Sequence, residues 1–167
     1  EALRNAGQLY VDKTEQLYRL ASLRQKFFLT RPRRFGKSLL VSTFASLFRN
    51  GLKHFSGLAI EKLWKDTTYI VVEIDFSEIK NIEGLQDFYT QFDFALIDAF
   101  EPAGFTFDEN KHQDVIKQLS RWMKQQPSNS LVLLIDEYDS PLTACLEDKE
   151  LFNSVRTILS SLYATVI

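Results

Sequence analysis

Apolar residues recur along this chain at two spacings, and each predicts its own kind of element. Helical spacing runs through Leu40, Thr43, Phe44 and Leu47, through Leu85, Phe88, Tyr89, Phe92, Leu96 and Phe100, and through Val115, Ile116, Leu119, Trp122 and Met123. It returns in Leu151, Phe152, Val155, Ile158, Leu159 and Leu162, which predict a last amphipathic helix. Asp12 with Glu15 three residues on is a capping-box signature that opens a further helix through about Leu23. Three segments read instead as strands. Lys26 to Thr30 is the first, and Tyr69 to Phe76, rich in β-branched residues, is the second. Leu131-Val132-Leu133-Leu134-Ile135 is the third, an unbroken apolar run suited to a strand buried on both faces of a parallel sheet. Asn50-Gly51, Pro102 with Gly104, and Gln126 to Ser130 punctuate the pattern, and Phe55 to Trp64 reads as an irregular or partly helical connection.

Helices between consecutive strands argue for parallel pairing, since a parallel neighbour needs a crossover. The expected fold is therefore α/β, a three-layer sandwich with a mainly parallel sheet. A length of 167 residues is enough for one domain with a substantial core, so residues 1–167 are read as a single unit. The chain begins at Glu1 and its single methionine is Met123, so it reads as part of a longer product.

Chemistry enters between the first strand and the helix that follows it. Residues 31–39 read Arg31-Pro32-Arg33-Arg34-Phe35-Gly36-Lys37-Ser38-Leu39. Strand, loop ending in Gly-Lys-Ser, then helix is the order of parts in a phosphate-binding loop (Walker A). Backbone N–H groups in such a loop point at phosphate oxygens, and the helix N-terminus adds partial positive charge. Lys37 would reach the β- and γ-phosphates of ATP, and the Ser38 hydroxyl would hold Mg²⁺. The usual pattern has glycine five positions before Gly36, where this chain has Arg31. Pro32 also removes one amide donor from the loop.

A second motif stands in the correct order behind the first. The third apolar run is followed at once by Asp136-Glu137-Tyr138-Asp139. Acids at the carboxyl end of such a strand lie where open α/β sheets bind ligands. Asp136 is assigned as the Mg²⁺-linked carboxylate (Walker B) and Glu137 as the base that polarises the attacking water. For either motif alone the bland reading, a core strand or helix ending in solvated charge, would carry comparable weight.

With both motifs in place, the chain resembles the bacterial AAA-ATPase-like family. The resemblance rests on Tyr10-Val11-Asp12-Lys13-Thr14, on Phe27 through Leu40, on Ile74-Asp75-Phe76-Ser77, and on Leu134 through Leu142. It spans nearly the whole chain. That family carries Arg-Pro-Arg-Arg-Phe-Gly-Lys-Ser in place of the glycine-first loop, so Arg31 matches its own variant. The resemblance implies ATP binding and hydrolysis. It also implies a fourth strand, following the last helix and lying between the loop strand and the acidic strand, before which this chain stops. The sheet is then expected either to show a gap or to shift its first strand, with exposed apolar surface and self-association as consequences. Family members often carry a C-terminal domain similar to restriction-type nucleases of the PD-(D/E)xK class, which this segment does not include.

Composition sharpens the picture only in places. The net charge of −2 gives no reason to expect general nucleic-acid binding. The single Cys145 excludes an internal disulfide framework and suits a cytoplasmic setting, and no run is long enough to span a membrane. Charge is unevenly placed. Seven basic residues and no acid lie between Arg19 and Lys37, and six acids face only Lys149 between Asp136 and Glu150. Arg33 and Arg34 either supply charge to phosphate or pair with solvent and acids. Asp75 either orients water or metal or caps a turn, Tyr138 and Asp139 divide in the same way, and Tyr10 to Asp12 are placed near the adenine. His54 and His112 have no cysteine partners at metal-site spacing. Two other functions stay open, a nucleotide-dependent switch or scaffold with negligible turnover and a small-molecule kinase using the same loop.

Overall fold

Residues 6–7, 11–23, 25–30, 36–65, 67–111 and 113–166 are described by a computed structural model. Among the described residues the elements in chain order begin with helix α1 (Thr14–Ser22) and helix α2 (Lys37–Asn50), followed by two 3-10 turns at Gly51–His54 and Ala59–Lys62. Strand β1 (Ile70–Asp75) runs into a 3-10 turn at Phe76–Glu78 and then helix α3 (Leu85–Phe100). Helix α4 (Val115–Gln125), strand β2 (Leu131–Asp136), the short helix α5 (Ser140–Thr143) and helix α6 (Lys149–Val166) complete the chain. The fold is α/β, with β1 and β2 forming a small parallel sheet. The chain divides into two units, Glu1–Val71 and Val72–Ile167, with the boundary inside β1.

The first unit is organised by α2. Its residues Leu40, Phe44 and Leu47 fall on one face and pack with Leu17 of α1, Phe55 and Ile60. Aromatic contacts extend that core, with Phe44 stacked on Phe48 at 5.6 Å and Phe48 edge-on to Tyr69 at 5.5 Å. Gly51 takes φ 60° at the end of α2, as Asn50-Gly51 predicts, and the Tyr69 amide donates to the Phe48 carbonyl at 2.7 Å. The connection after α2 is partly helical, as expected.

The start of α1 differs from the capping box. Lys13, at φ −123° and ψ 20°, is the N-cap, so Glu15 falls one position too early to reach back. Glu15 instead pairs with Arg19 at 2.6 Å on the exposed face. Asp12 accepts from the Thr14 amide at 2.9 Å and from its hydroxyl at 2.6 Å. Its other carboxylate oxygen accepts from the Ala59 amide at 2.8 Å, while the buried Thr14 hydroxyl accepts from the Ile60 amide at 3.1 Å. Two polar side chains thus tie α1 to the turn at Ala59–Lys62.

In the second unit Val72 and Ile74 of β1 point into the core while Glu73 and Asp75 face solvent. Every fourth residue of α3 from Phe88 to Phe100 is fully buried, and α6 contributes Leu151, Val155, Leu159 and Leu162. Phe92 stacks on Phe88 at 5.1 Å and on Phe76 at 5.8 Å. Asp114 caps α4 by accepting from the Lys117 amide at 2.8 Å.

Two strand expectations need correction. Residues 25–30 form no strand, and Phe27 and Phe28 are 49% and 68% exposed. A strand exists through its ladder, and an apolar run that joins no ladder stays irregular whatever its composition. Among the described residues the sheet consequently has two strands instead of three. All six residues of β2 are half-buried, because a two-stranded sheet cannot enclose either strand between neighbours.

Candidate functional site

Arg31, Pro32, Arg33, Arg34 and Phe35 lie outside the described residues, so the loop is described from Gly36 onward. Gly36 has φ 75° and ψ 25°, the left-handed region, as the residue before α2. Open space surrounds the position a Cβ would take, so the backbone angle rather than crowding makes glycine favourable here. The Gly36 carbonyl accepts from the Leu40 amide at 3.0 Å, which closes the first helical turn. Lys37 is half-buried as the first helical residue, and Ser38 and Leu39 follow on the exposed side. The Leu39 carbonyl accepts from the Thr43 hydroxyl at 2.6 Å and from the Ser42 hydroxyl at 3.0 Å.

The start of α2 has the electrostatics of an anion site. Among the described residues no side chain caps it and its first turn holds no acid. The first amides of a helix lack partners within the helix, and the macrodipole places about half a positive charge there. The Lys37 ammonium adds to that positive end. A phosphate is the natural counterpart of such an end, and a carboxylate would compete for it.

The acidic segment continues β2. Asp136 is the last strand residue, half-buried, and one of its carboxylate oxygens accepts from the Glu137 amide at 3.0 Å. Glu137, also half-buried, has φ 49°, an angle that non-glycine residues seldom adopt. Its carbonyl accepts from the Ser140 amide at 2.9 Å, closing a turn over Glu137–Ser140. Asp139 has φ −95° and ψ −7°, close to the angles of about −90° and 0° expected at the third position of a type I turn. The Tyr138 carbonyl accepts from the Tyr163 hydroxyl of α6 at 3.4 Å. Burial first, then the proximity of Tyr138 and Asp139, pushes the Tyr163 phenol up to about 12.

Several of the remaining candidates make local structural contacts. Asp75 accepts from the Ser77 amide at 2.8 Å and so caps the turn after β1. The Asp139 carbonyl accepts from the Thr143 amide at 3.0 Å and begins α5. Cys145 is buried and donates to the Pro141 carbonyl at 3.3 Å, and burial pushes its thiol up. Tyr10 and His112 lie outside the described residues, and Asp12 makes the α1 contacts given above. No group of three or more His, Cys, Asp or Glu among the described residues has the geometry to hold a metal ion. Mg²⁺ at nucleotide sites is held through one or two protein groups plus phosphates and water, which such a cluster would not represent.

The structure brings Gly36, Lys37, Ser38 and Leu39 together at the start of α2, and Asp136 and Glu137 together at the end of β2. Left-handed Glu137 and the Tyr163 contact escaped the sequence reading. Glutamate carries no local signal for positive φ, and Tyr163 lies 25 residues beyond its partner. Among the described residues no helix is long and apolar enough to cross a membrane.

Comparison with known proteins places these features in a family. No solved structure matches the chain significantly. A protein from Azotobacter chroococcum mcd 1, described as an uncharacterized protein in the vnfD 5' region, is 30% identical over 161 residues. The match covers 94% of this chain but only 30% of that protein's length. A family model described as predicted AAA-ATPase matches residues 1–167, which supports an ATP-binding domain. On that full-length match, the chain belongs to the predicted AAA-ATPase family.

Proposed function

We propose that residues 31–39 bind the phosphates of Mg²⁺–ATP and that the complete protein hydrolyses its γ-phosphate. The observation that carries this reading is the start of α2, opened by left-handed Gly36 and followed by Lys37 and Ser38, with no side-chain cap among the described residues. In this reading Lys37 and the first amides of α2 neutralise phosphate charge, with Arg31, Arg33 and Arg34 as further sources of positive charge. The Ser38 hydroxyl and the Asp136 carboxylate hold the cation, which when bound supplies charge stabilisation on the phosphate oxygens. The Glu137 carboxylate orients water and takes its proton. Phosphoryl transfer depends mainly on positioning and electrostatics, so these few groups can account for most of the rate.

Glu137 also supports the assignment. Glycine or asparagine enters the left-handed region with less strain, yet this position holds a glutamate. A strained residue beside a ligand-binding strand end is the kind of outlier from which function is inferred.

Titration calorimetry of Mg²⁺–ATP into the full-length protein tests binding. Saturable binding that Lys37→Ala abolishes is the expected result, and no binding by the folded parent overturns the proposal. Turnover of the parent beside Glu137→Gln then separates hydrolysis from a nucleotide switch. An ATPase loses turnover and keeps binding, whereas a switch has little turnover to lose. Phosphate release without an added acceptor counts against a small-molecule kinase.

A further inference from the structure

Residue Tyr163 stands apart from every role assigned so far. It lies on α6, in the second unit, and its hydroxyl reaches the backbone of the turn that begins at Glu137. Within that turn the Glu137 carbonyl is engaged by the Ser140 amide, while the Tyr138 carbonyl belongs to the central peptide and points out of the ring. That peptide is the one that flips when a type I turn becomes type II. The flip would force Asp139 from φ −95° to positive φ. A donor on the Tyr138 carbonyl opposes the flip.

From this geometry we infer that Tyr163 is a positioning residue for Glu137, clamping the turn that begins at the glutamate by fixing its central Tyr138–Asp139 peptide. The inference rests on the proposed role of Glu137 in orienting water. Other features fit a clamp. Helix α6 is anchored by Leu159 and Leu162, both buried and both within the turn before Tyr163, so the hydroxyl is carried by a rigid element. Pro141 is buried and opens α5, so the turn is held at its far end as well. The phenol also remains protonated, and therefore a donor, throughout the range in which ATP is turned over, because it titrates only at about 12. At 3.4 Å the contact is a long hydrogen bond, so a moderate effect is expected.

Tyr163→Phe in the full-length protein tests the clamp, since it removes the donor and keeps the ring. The expected result is a kcat lowered about threefold to tenfold, the range that corresponds to loss of one neutral hydrogen bond. The KM and the calorimetric affinity for Mg²⁺–ATP stay within about twofold of the parent, a split that general loosening would not give. In a Glu137→Gln background the same change has little further effect, because Tyr163 acts through Glu137. Hydrogen exchange in a peptide spanning residues 137–143 speeds up, while exchange along α3 is unchanged. A parent that turns over ATP with Tyr163→Phe kcat unaltered overturns the clamp, as does an equal loss in both backgrounds. A parent without turnover overturns the catalytic part and the proposed ATPase function together. Faster exchange in that case still shows the clamp itself, so the two failures are distinguishable.

Discussion

A glutamate at φ 49° occupies the region that costs an L-residue roughly 1–2 kcal/mol unless a local hydrogen bond offsets it. At Glu137 the amide donates to Asp136 and the carbonyl accepts from Ser140, so the backbone is held at both of its polar groups. Replacing it tests whether strain and function are coupled. Glu137→Asn puts a residue tolerant of positive φ at the same place, and its expected effect is a gain of about 0.5–1 kcal/mol in stability with turnover lost. Glu137→Gln loses turnover without that gain, because glutamine has no such tolerance. Urea denaturation of the two variants beside the parent reads the difference, and equal stability in all three would show that the position is not strained. No feature of the sequence announces this conformation. By contrast Gly36, whose φ of 75° favours glycine, is legible because glycine itself is the signal.

At the scale of elements, legibility follows how local the determining interactions are. The helices α2, α3, α4 and α6 stand where helical spacing places them, since apolar period and capping are carried by near neighbours. Residues 25–30 have a strand's composition, but whether they pair depends on a partner elsewhere, and no strand forms. The Asp12 and Thr14 connection to Ala59 and Ile60 spans 46 and 47 residues and lay equally out of reach. It is also testable. Thr14→Val keeps the volume but removes the acceptor of the Ile60 amide, so a loss of about 1–3 kcal/mol is expected, with Thr14→Ser retaining most of the stability. Chemical denaturation of the three proteins measures it. Between α3 and α4 a second element-scale effect appears. Burial, and then the nearby carboxylate of Asp114, raise Asp93 above its ordinary 3.8. A carboxyl raised on folding binds its proton more tightly in the native state, so stability falls as pH rises from below 4 through the native value. Asp93→Asn is expected to flatten that fall and to stabilise the protein at neutral pH, whereas Asp114→Ala also removes the cap of α4. Melting temperatures across mildly acidic to neutral pH distinguish them, and a parallel pH profile for Asp93→Asn and parent would exclude the effect.

For the whole molecule the decisive quantity is the linkage between nucleotide and folding. A ligand that binds the native state and not the unfolded chain stabilises it by RT ln(1 + [L]/Kd), about 2.7 kcal/mol when present at a hundred times Kd. The groups proposed to hold Mg²⁺–ATP are Lys37, Ser38 and Asp136. Each is expected to leave its own mark on that linkage. With ATP and Mg²⁺ the full-length protein is expected to melt higher, by an increment that grows with the logarithm of ATP concentration. Lys37→Ala removes the increment, because phosphate binding depends on it with or without the metal. Asp136→Ala leaves the smaller increment that ATP produces in EDTA and removes the further rise on adding Mg²⁺. Glu137→Gln keeps the full increment, since a water-orienting base contributes to turnover and not to ground-state affinity. The pattern across these variants carries more than any one shift. An increment lost in Lys37→Ala but indifferent to Mg²⁺ and to Asp136 would retain the phosphate loop and remove Asp136 from the metal. An increment unaffected by Lys37→Ala would move the nucleotide away from the start of α2 altogether.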